Sequence, residues 1–277
     1  MVSAIIVCLV VAILQISSAA ADAGDYYKEI NTSAKDDDMK GSLQKLIAEH
    51  TVLSYDKVWN ALDEINKQAG CPQNSTYIPD IYSSYCWKPE LDTEGGECGN
   101  YKKEGDCFNR EHLWPKSWFG GFDKGQGAQT DLWELYPSDG YVNGLRGNLP
   151  LGPITCEEDA TYVSSNGSKI GPCDATAADG DYHGACFEPA DSLKGDFARS
   201  YFYLATAYWK KWECCNTDAV NGSDIKPWNE AVLRAWHELD AVDDGERSKN
   251  DVIFEEYQHN RNPFVDHPEW VSQIGDF

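Results

Sequence analysis

The stretch Asn109-Arg110-Glu111-His112-Leu113-Trp114-Pro115-Lys116-Ser117-Trp118-Phe119-Gly120 decides how this chain is read. A carboxylate that can hold a metal stands directly before an imidazole that can take a proton. Arg110 and Lys116 flank the pair with cations able to meet phosphate. Those are the parts that cut a phosphodiester bond with a metal ion and an activated water. Taken alone, Glu111-His112 has a plainer reading, because neighbours in an extended segment point to opposite faces, one buried and one solvated.

Outward from that stretch, the 277-residue chain opens on an apolar run, Ala4 to Leu14, and carries no charge before Asp22. The run is short for a bilayer and ends in Ala19-Ala20-Ala21, which is how a cleaved secretory signal reads. Residues 1–21 are therefore expected to be a leader, and the mature protein to be secreted and free of the membrane. A buried amino-terminal helix is the alternative. Of ten cysteines, Cys8 falls in the leader, which leaves Cys71, Cys86, Cys98, Cys107, Cys156, Cys173, Cys186, Cys214 and Cys215. In a secreted chain these predict disulfides, with one thiol left free or paired between chains. No Cys-x-x-Cys or tight Cys/His set favours zinc, and adjacent Cys214 and Cys215 are expected to serve different bridges. Sequons at Asn31, Asn74, Asn166 and Asn221 are candidate glycosylation sites.

The net charge of −23 argues against general affinity for a polyanion. Locally the balance differs. Between Tyr101 and Lys124, five cations (Lys102, Lys103, Arg110, Lys116, Lys124) meet four acids (Glu104, Asp106, Glu111, Asp123). The motif thus lies in a neutral window of an acidic protein, and the acidity elsewhere reads first as a solubility device.

Residues 22–38 are polar and are expected to form a loose arm, followed by one domain over 39–277. Apolar spacing (Leu43, Leu46, Ile47, then Val58, Leu62, Ile65) predicts two amphipathic helices between Gly41 and Lys67. Tyr77 to Tyr82 reads as a short strand broken by Pro79, and Cys86 to Asp106 as a disulfide-pinned loop. Cys107 to Leu113 should be extended, and Thr130 to Leu135 a turn or short helix. Residues 155–190 read as a long irregular insertion held by bridges. The best helix is Asp196 to Trp212, with Phe197, Tyr201, Leu204, Ala205 and Tyr208 on one face, and Trp228 to Leu239 is another. No repeat or linker divides the chain. The class expected is α+β, a single disulfide-stabilised domain of helices and short strands.

Three separated blocks resemble the endonuclease I family of secreted, metal-dependent, sequence-nonspecific nucleases. They are the opening stretch, Thr130-Asp131-Leu132-Trp133-Glu134-Leu135-Tyr136-Pro137-Ser138-Asp139-Gly140-Tyr141-Val142-Asn143-Gly144-Leu145-Arg146-Gly147-Asn148, and Gln258-His259-Asn260-Arg261-Asn262-Pro263-Phe264-Val265-Asp266-His267-Pro268-Glu269. The helix near Gly195 to Tyr208 and the block Val52-Leu53-Ser54-Tyr55 are similar too. The resemblance spans roughly residues 40 to 272 and implies a ββα-metal active site. It implies His112 as general base, with Glu111 and Asn143 as protein ligands of one divalent ion, Mg²⁺ first, with Mn²⁺ or Ca²⁺ as alternatives. Carboxylate and amide oxygens are hard ligands that suit Mg²⁺, and an imidazole accepts protons near neutrality.

On its own, Asn143-Gly144 could be a mere turn. Arg146 could reach a phosphate or serve a structural ion pair. Asn260, Arg261 and Asn262 are expected to fix loop geometry, and His267-Pro268 to be structural. Two departures from the family pattern stand out. Trp133 occupies a place where many relatives have histidine, and the loop arginine of some relatives is missing. Lys124 or Arg146 could replace that arginine, although a lysine offers no bidentate fork. The implied activity is hydrolysis of DNA and RNA by a secreted monomer, leaving 5′-phosphate ends. The alternative is a secreted binding protein of the same fold without turnover.

Overall fold

The computed structural model describes residues 23–67, 71, 77–88, 98, 100–120, 127–177, 180–212 and 214–277. The expected leader, the sequon at Asn74 and Lys124 lie outside the described residues.

Helix α1 covers Ala23–Tyr26, α2 Asp36–Ile47 and α3 Tyr55–Lys67, so the two helices expected between 41 and 67 are present. The described part of the polar segment 22–38 is not a loose arm. Tyr27 is buried, its hydroxyl donates to Asp266 at 2.7 Å, and its ring meets Trp270 edge-on. Two adjacent tyrosines anchor a stretch whose average composition is polar. Asp36, Asp37 and Asp38 form the first turn of α2, where the helix dipole favours carboxylates.

Strand β1 (Ile78–Pro79) pairs with β2 (Cys86–Trp87), and a Cys71–Cys86 disulfide ties the pair to the chain before it. Strand β3 (Phe108–His112) runs antiparallel to β4 (Leu135–Asp139), with Glu111 opposite Tyr136 and His112 opposite Leu135. A Cys98–Cys107 disulfide stands just before β3. The turn expected at Thr130 is a 3-10 turn over Ala128–Thr130, and β4 begins at Leu135. Local hydrogen bonding stops a longer helix there: Asp131 accepts from the Trp133 amide, and Gln258 takes the Leu132 amide. Strand β4 passes directly into α4 (Gly140–Arg146). Its cap is Asp139, which accepts from the amides of Tyr141 and Val142 at 2.9 Å each.

The insertion 155–190, expected to be irregular, is built of short strands instead. These are β5 (Tyr162–Val163), β6 (Lys169–Pro172), β7 (Ala175–Ala177), β8 (Gly180–Tyr182) and β9 (Ala185–Glu188). They form a sheet of order β5-β6-β9 and a β7-β8 hairpin, linked by a Cys173–Cys186 disulfide. Strands of two to four residues are too short for alternation to register in sequence.

Helix α5 (Lys194–Ala207) is buried on every side rather than on one face, as befits the central helix. It packs against α2 and against α6 (Pro227–Leu239), after the small hairpin of β10 (Val220–Asn221) and β11 (Asp224–Ile225). Helix α7 (Asp244–Val252) and α8 (Pro263–Asp266), the latter also against α5, complete the α+β domain. Tyrosine hydroxyls on α5 latch the chain around the β3–β4 pair: Tyr201 donates to the Leu113 carbonyl at 3.1 Å and Tyr203 to Asp131 at 3.0 Å.

Among the described residues Cys156, Cys214 and Cys215 are free thiols, which corrects both the single leftover cysteine and the separate bridges expected for Cys214 and Cys215. Counting gives parity only; a bridge needs two Cα atoms within about 7 Å and converging Cβ vectors. Cys156 donates to Asp159 instead, at 2.9 Å. Of the described sequons, Asn31 and Asn221 are exposed. The Asn166 amide nitrogen, the atom a glycan would occupy, donates to the Ile81 carbonyl at 2.9 Å, which speaks against a glycan there.

Candidate active site

The β3–β4–α4 unit brings Glu111, His112 and Asn143 to one cavity of about 460 Å³, whose wall also includes Tyr55, Arg110 and Lys116. The plainer reading of Glu111-His112, one side chain buried and one solvated, fails, since they are only 2% and 7% exposed.

Each acidic or basic group is set by named partners. Glu111 Oε1 accepts from the Tyr82 hydroxyl at 3.0 Å and from Arg146 Nη1 at 2.5 Å. With Oε1 so engaged, Oε2 is the oxygen left for the cavity. Burial pushes the Glu111 carboxyl up, while Arg146 and Tyr82 pull it back. Asn143 sits on α4, where its amide nitrogen donates to Ser138 Oγ at 3.1 Å. That bond turns the amide so that its carbonyl oxygen is the atom available to a cation. A carboxylate oxygen and an amide oxygen on one wall are a hard donor pair, which fits Mg²⁺ with its remaining positions filled by water and phosphate.

The His112 Nε2 lies 3.2 Å from the Gln129 carbonyl. A carbonyl only accepts, so the proton is assigned to Nε2 and Nδ1 carries the lone pair. Burial, with Lys116 nearby, holds the imidazole down to about 3, so it is neutral across the physiological range. The Tyr55 ring lies nearly parallel to it, 6.4 Å between centroids at 21°. The Arg110 guanidinium packs 3.4 Å from the centre of the Tyr55 ring and 4.4 Å from that of Trp59, which holds it at the cavity wall. Lys116 is exposed at the rim.

Arg146 is in the wrong place for a phosphate contact. It is 1% exposed, and besides Glu111 it donates to the carbonyls of His112 at 3.0 Å and Leu113 at 2.6 Å. Of its two readings, the ion pair is the one the geometry meets: Arg146 clamps the end of β3 from beneath. The third block is likewise structural. Asn260 donates to the Ile47 carbonyl at 2.8 Å, Arg261 pairs with Asp251 and Asp266, and Asn262 caps α8. His267 stacks on Trp270 at 4.0 Å. Trp133 is fully buried and lies outside the cavity wall.

Sequence reasoning missed Tyr82 and the Gln129 carbonyl. The first stands well upstream, in the loop between β1 and β2, and the second is a backbone group that no residue type reveals. Tyr55 was visible only within a block similar to the family.

Known proteins resemble this chain over nearly all of its length. The Endonuclease I family model matches residues 36–269. An extracellular ribonuclease of Bacillus subtilis (strain 168) is 36% identical over 259 residues, covering 92% of this chain and 79% of that protein. A second extracellular ribonuclease, from Bacillus amyloliquefaciens, is 36% identical over 262 residues, with coverage of 92% and 79%. With its first two blocks on the β3–β4–α4 unit, its third around α8, and the family match covering residues 36–269, the chain belongs to the endonuclease I family.

Proposed function

We propose that the protein is a secreted endonuclease that hydrolyses phosphodiester bonds of RNA and DNA with little sequence preference. The observation that carries this is the convergence of Glu111, His112 and Asn143 on one cavity, with His112 Nε2 against the Gln129 carbonyl. The names of the Bacillus relatives support RNA as a substrate. Nothing in the proposed chemistry uses a 2′-hydroxyl, so DNA can enter the same site.

In this reading Glu111 and Asn143 hold one divalent ion, Mg²⁺ by ligand chemistry, and Arg146 and Tyr82 hold Glu111 in place. When bound, the ion supplies neutralising charge at the phosphate and the leaving oxygen. His112 Nδ1 takes a proton from a water as that water attacks phosphorus. The bond from phosphorus to the 3′-oxygen then breaks; that oxygen takes a proton from solvent water and leaves as a 3′-hydroxyl, and the phosphate stays as a 5′-phosphate. A neutral imidazole is the form a base requires. Arg110 and Lys116 meet neighbouring phosphates, and contacts of that kind fix register without reading bases. The buried Arg146 is a positioning residue rather than a phosphate ligand.

Digestion of plasmid DNA and of a long RNA, each with Mg²⁺ and with chelator, tests the proposal. Cleavage of both polymers that stops with chelator is expected. No cleavage with any divalent metal would leave the fold as a binding protein.

A further inference from the structure

A second cavity, of about 350 Å³, opens beside the catalytic one and shares Ser117 and Asn148 with it. The shared wall leaves a strand bound in the catalytic cavity a path into the second. The two halves differ in chemistry. The catalytic half has Arg110 and Lys116, whereas the second is lined by no cation and carries the carboxylate of Asp218 and the ring of Tyr182. A phosphate is repelled there, and an uncharged nucleoside is not.

The second half is also built rigidly. Tyr182 stacks flat on Trp228, 4.5 Å between centroids and 14° from parallel. Its hydroxyl reaches Asp218 Oδ2 at 3.3 Å. The backbone at Asp218 is pinned, because its carbonyl accepts from Trp228 Nε1 at 2.8 Å while Thr217 Oγ1 takes the Val220 amide at 3.1 Å. The Asp218 side chain itself is exposed. Tyr182 comes from the β7–β8 hairpin, so the insertion supplies one wall of the groove.

We propose that this cavity is a nucleoside subsite in which the Asp218 carboxylate selects guanine next to the cleaved bond. The proposal rests on the nuclease reading above. An ionised carboxylate only accepts hydrogen bonds. Guanine offers two parallel donors, N1–H and N2–H, that match both its oxygens. Adenine and cytosine offer one exocyclic amino group, and uracil only N3–H. The selection is a local bias on top of phosphate-driven binding and does not require a recognition sequence.

A random-sequence single-stranded RNA pool, cut by the wild type and by Asp218→Ala with ends mapped by sequencing, tests this. The wild type is expected to cut guanine-flanked bonds faster than uracil-flanked ones by on the order of tenfold, the lower end of what a bidentate base contact gives. Asp218→Ala should bring that ratio close to one. Cleavage without base bias, or a bias that survives the substitution, overturns the subsite while leaving the nuclease reading intact. If the wild type cuts nothing, the nuclease reading falls instead. Titration of the dinucleotides GpU and UpU then decides the subsite without turnover, and equal affinities overturn it.

Discussion

Arg146 Nη1 lies 2.5 Å from Glu111 Oε1, and both side chains are buried. The pair joins the end of α4 to β3, so the Glu111 carboxylate is aimed by a residue from another element of the unit. Removing one partner of a buried pair strands the other charge, which costs about 3–5 kcal/mol. Arg146→Met is expected to lose stability on that scale in urea unfolding. It should also raise the Glu111 carboxyl further, weakening Mg²⁺ binding measured by calorimetry. A loss under about 1 kcal/mol would place the clamp elsewhere.

Tyr82 makes a milder test of the same carboxylate. Tyr82→Phe removes only the hydroxyl that donates to Glu111 at 3.0 Å. The expected loss is about 1 kcal/mol of stability. Divalent-ion affinity should fall by about tenfold, as for other partners of a ligating side chain. Unchanged affinity would mean that Glu111 is oriented without it.

Much of this was legible in the residues. Apolar spacing gave α2, α3 and α6, and the alternation near Cys107 gave β3. What stayed hidden has physical causes. The strands of the insertion are too short to show a period, and α5 is buried all round, so one apolar face understated it. Tyr26 and Tyr27 dock a segment whose polar average suggested an arm. At the site, Glu111, His112 and Asn143 could be named from sequence, but the two readings of Arg146 could be separated only by its depth, which sequence does not carry.

Protonation of His112 couples to folding with a definite sign. Its folded value of about 3 lies below the ~6.5 of an exposed imidazole. The unfolded chain therefore binds a proton that the folded protein refuses, and stability is lost as pH falls from about 6.5 toward 3. Unfolding midpoints of the wild type should fall more steeply from pH 7 to 4 than those of His112→Asn. Parallel slopes would contradict a buried neutral imidazole.

The Cys173–Cys186 disulfide closes a loop with a sequence separation of 13 and holds the insertion that carries Tyr182. Gly152 packs against it so closely that a Cβ there would stand 2.6 Å from both sulfurs. Replacing both cysteines by serine should cost about 3 kcal/mol by the loop-entropy scale. Chemical denaturation under non-reducing conditions measures it, and an unchanged midpoint would show that the bridge does not restrain the sheet.

The central claim is that His112 takes the proton from the attacking water, and single-turnover cleavage by His112→Ala tests it most directly. With Mg²⁺ and saturating protein, the account predicts that the cleavage rate falls by about 10²–10⁴-fold while substrate and Mg²⁺ affinities stay near those of the wild type. A variant that cuts at a near wild-type rate would contradict it.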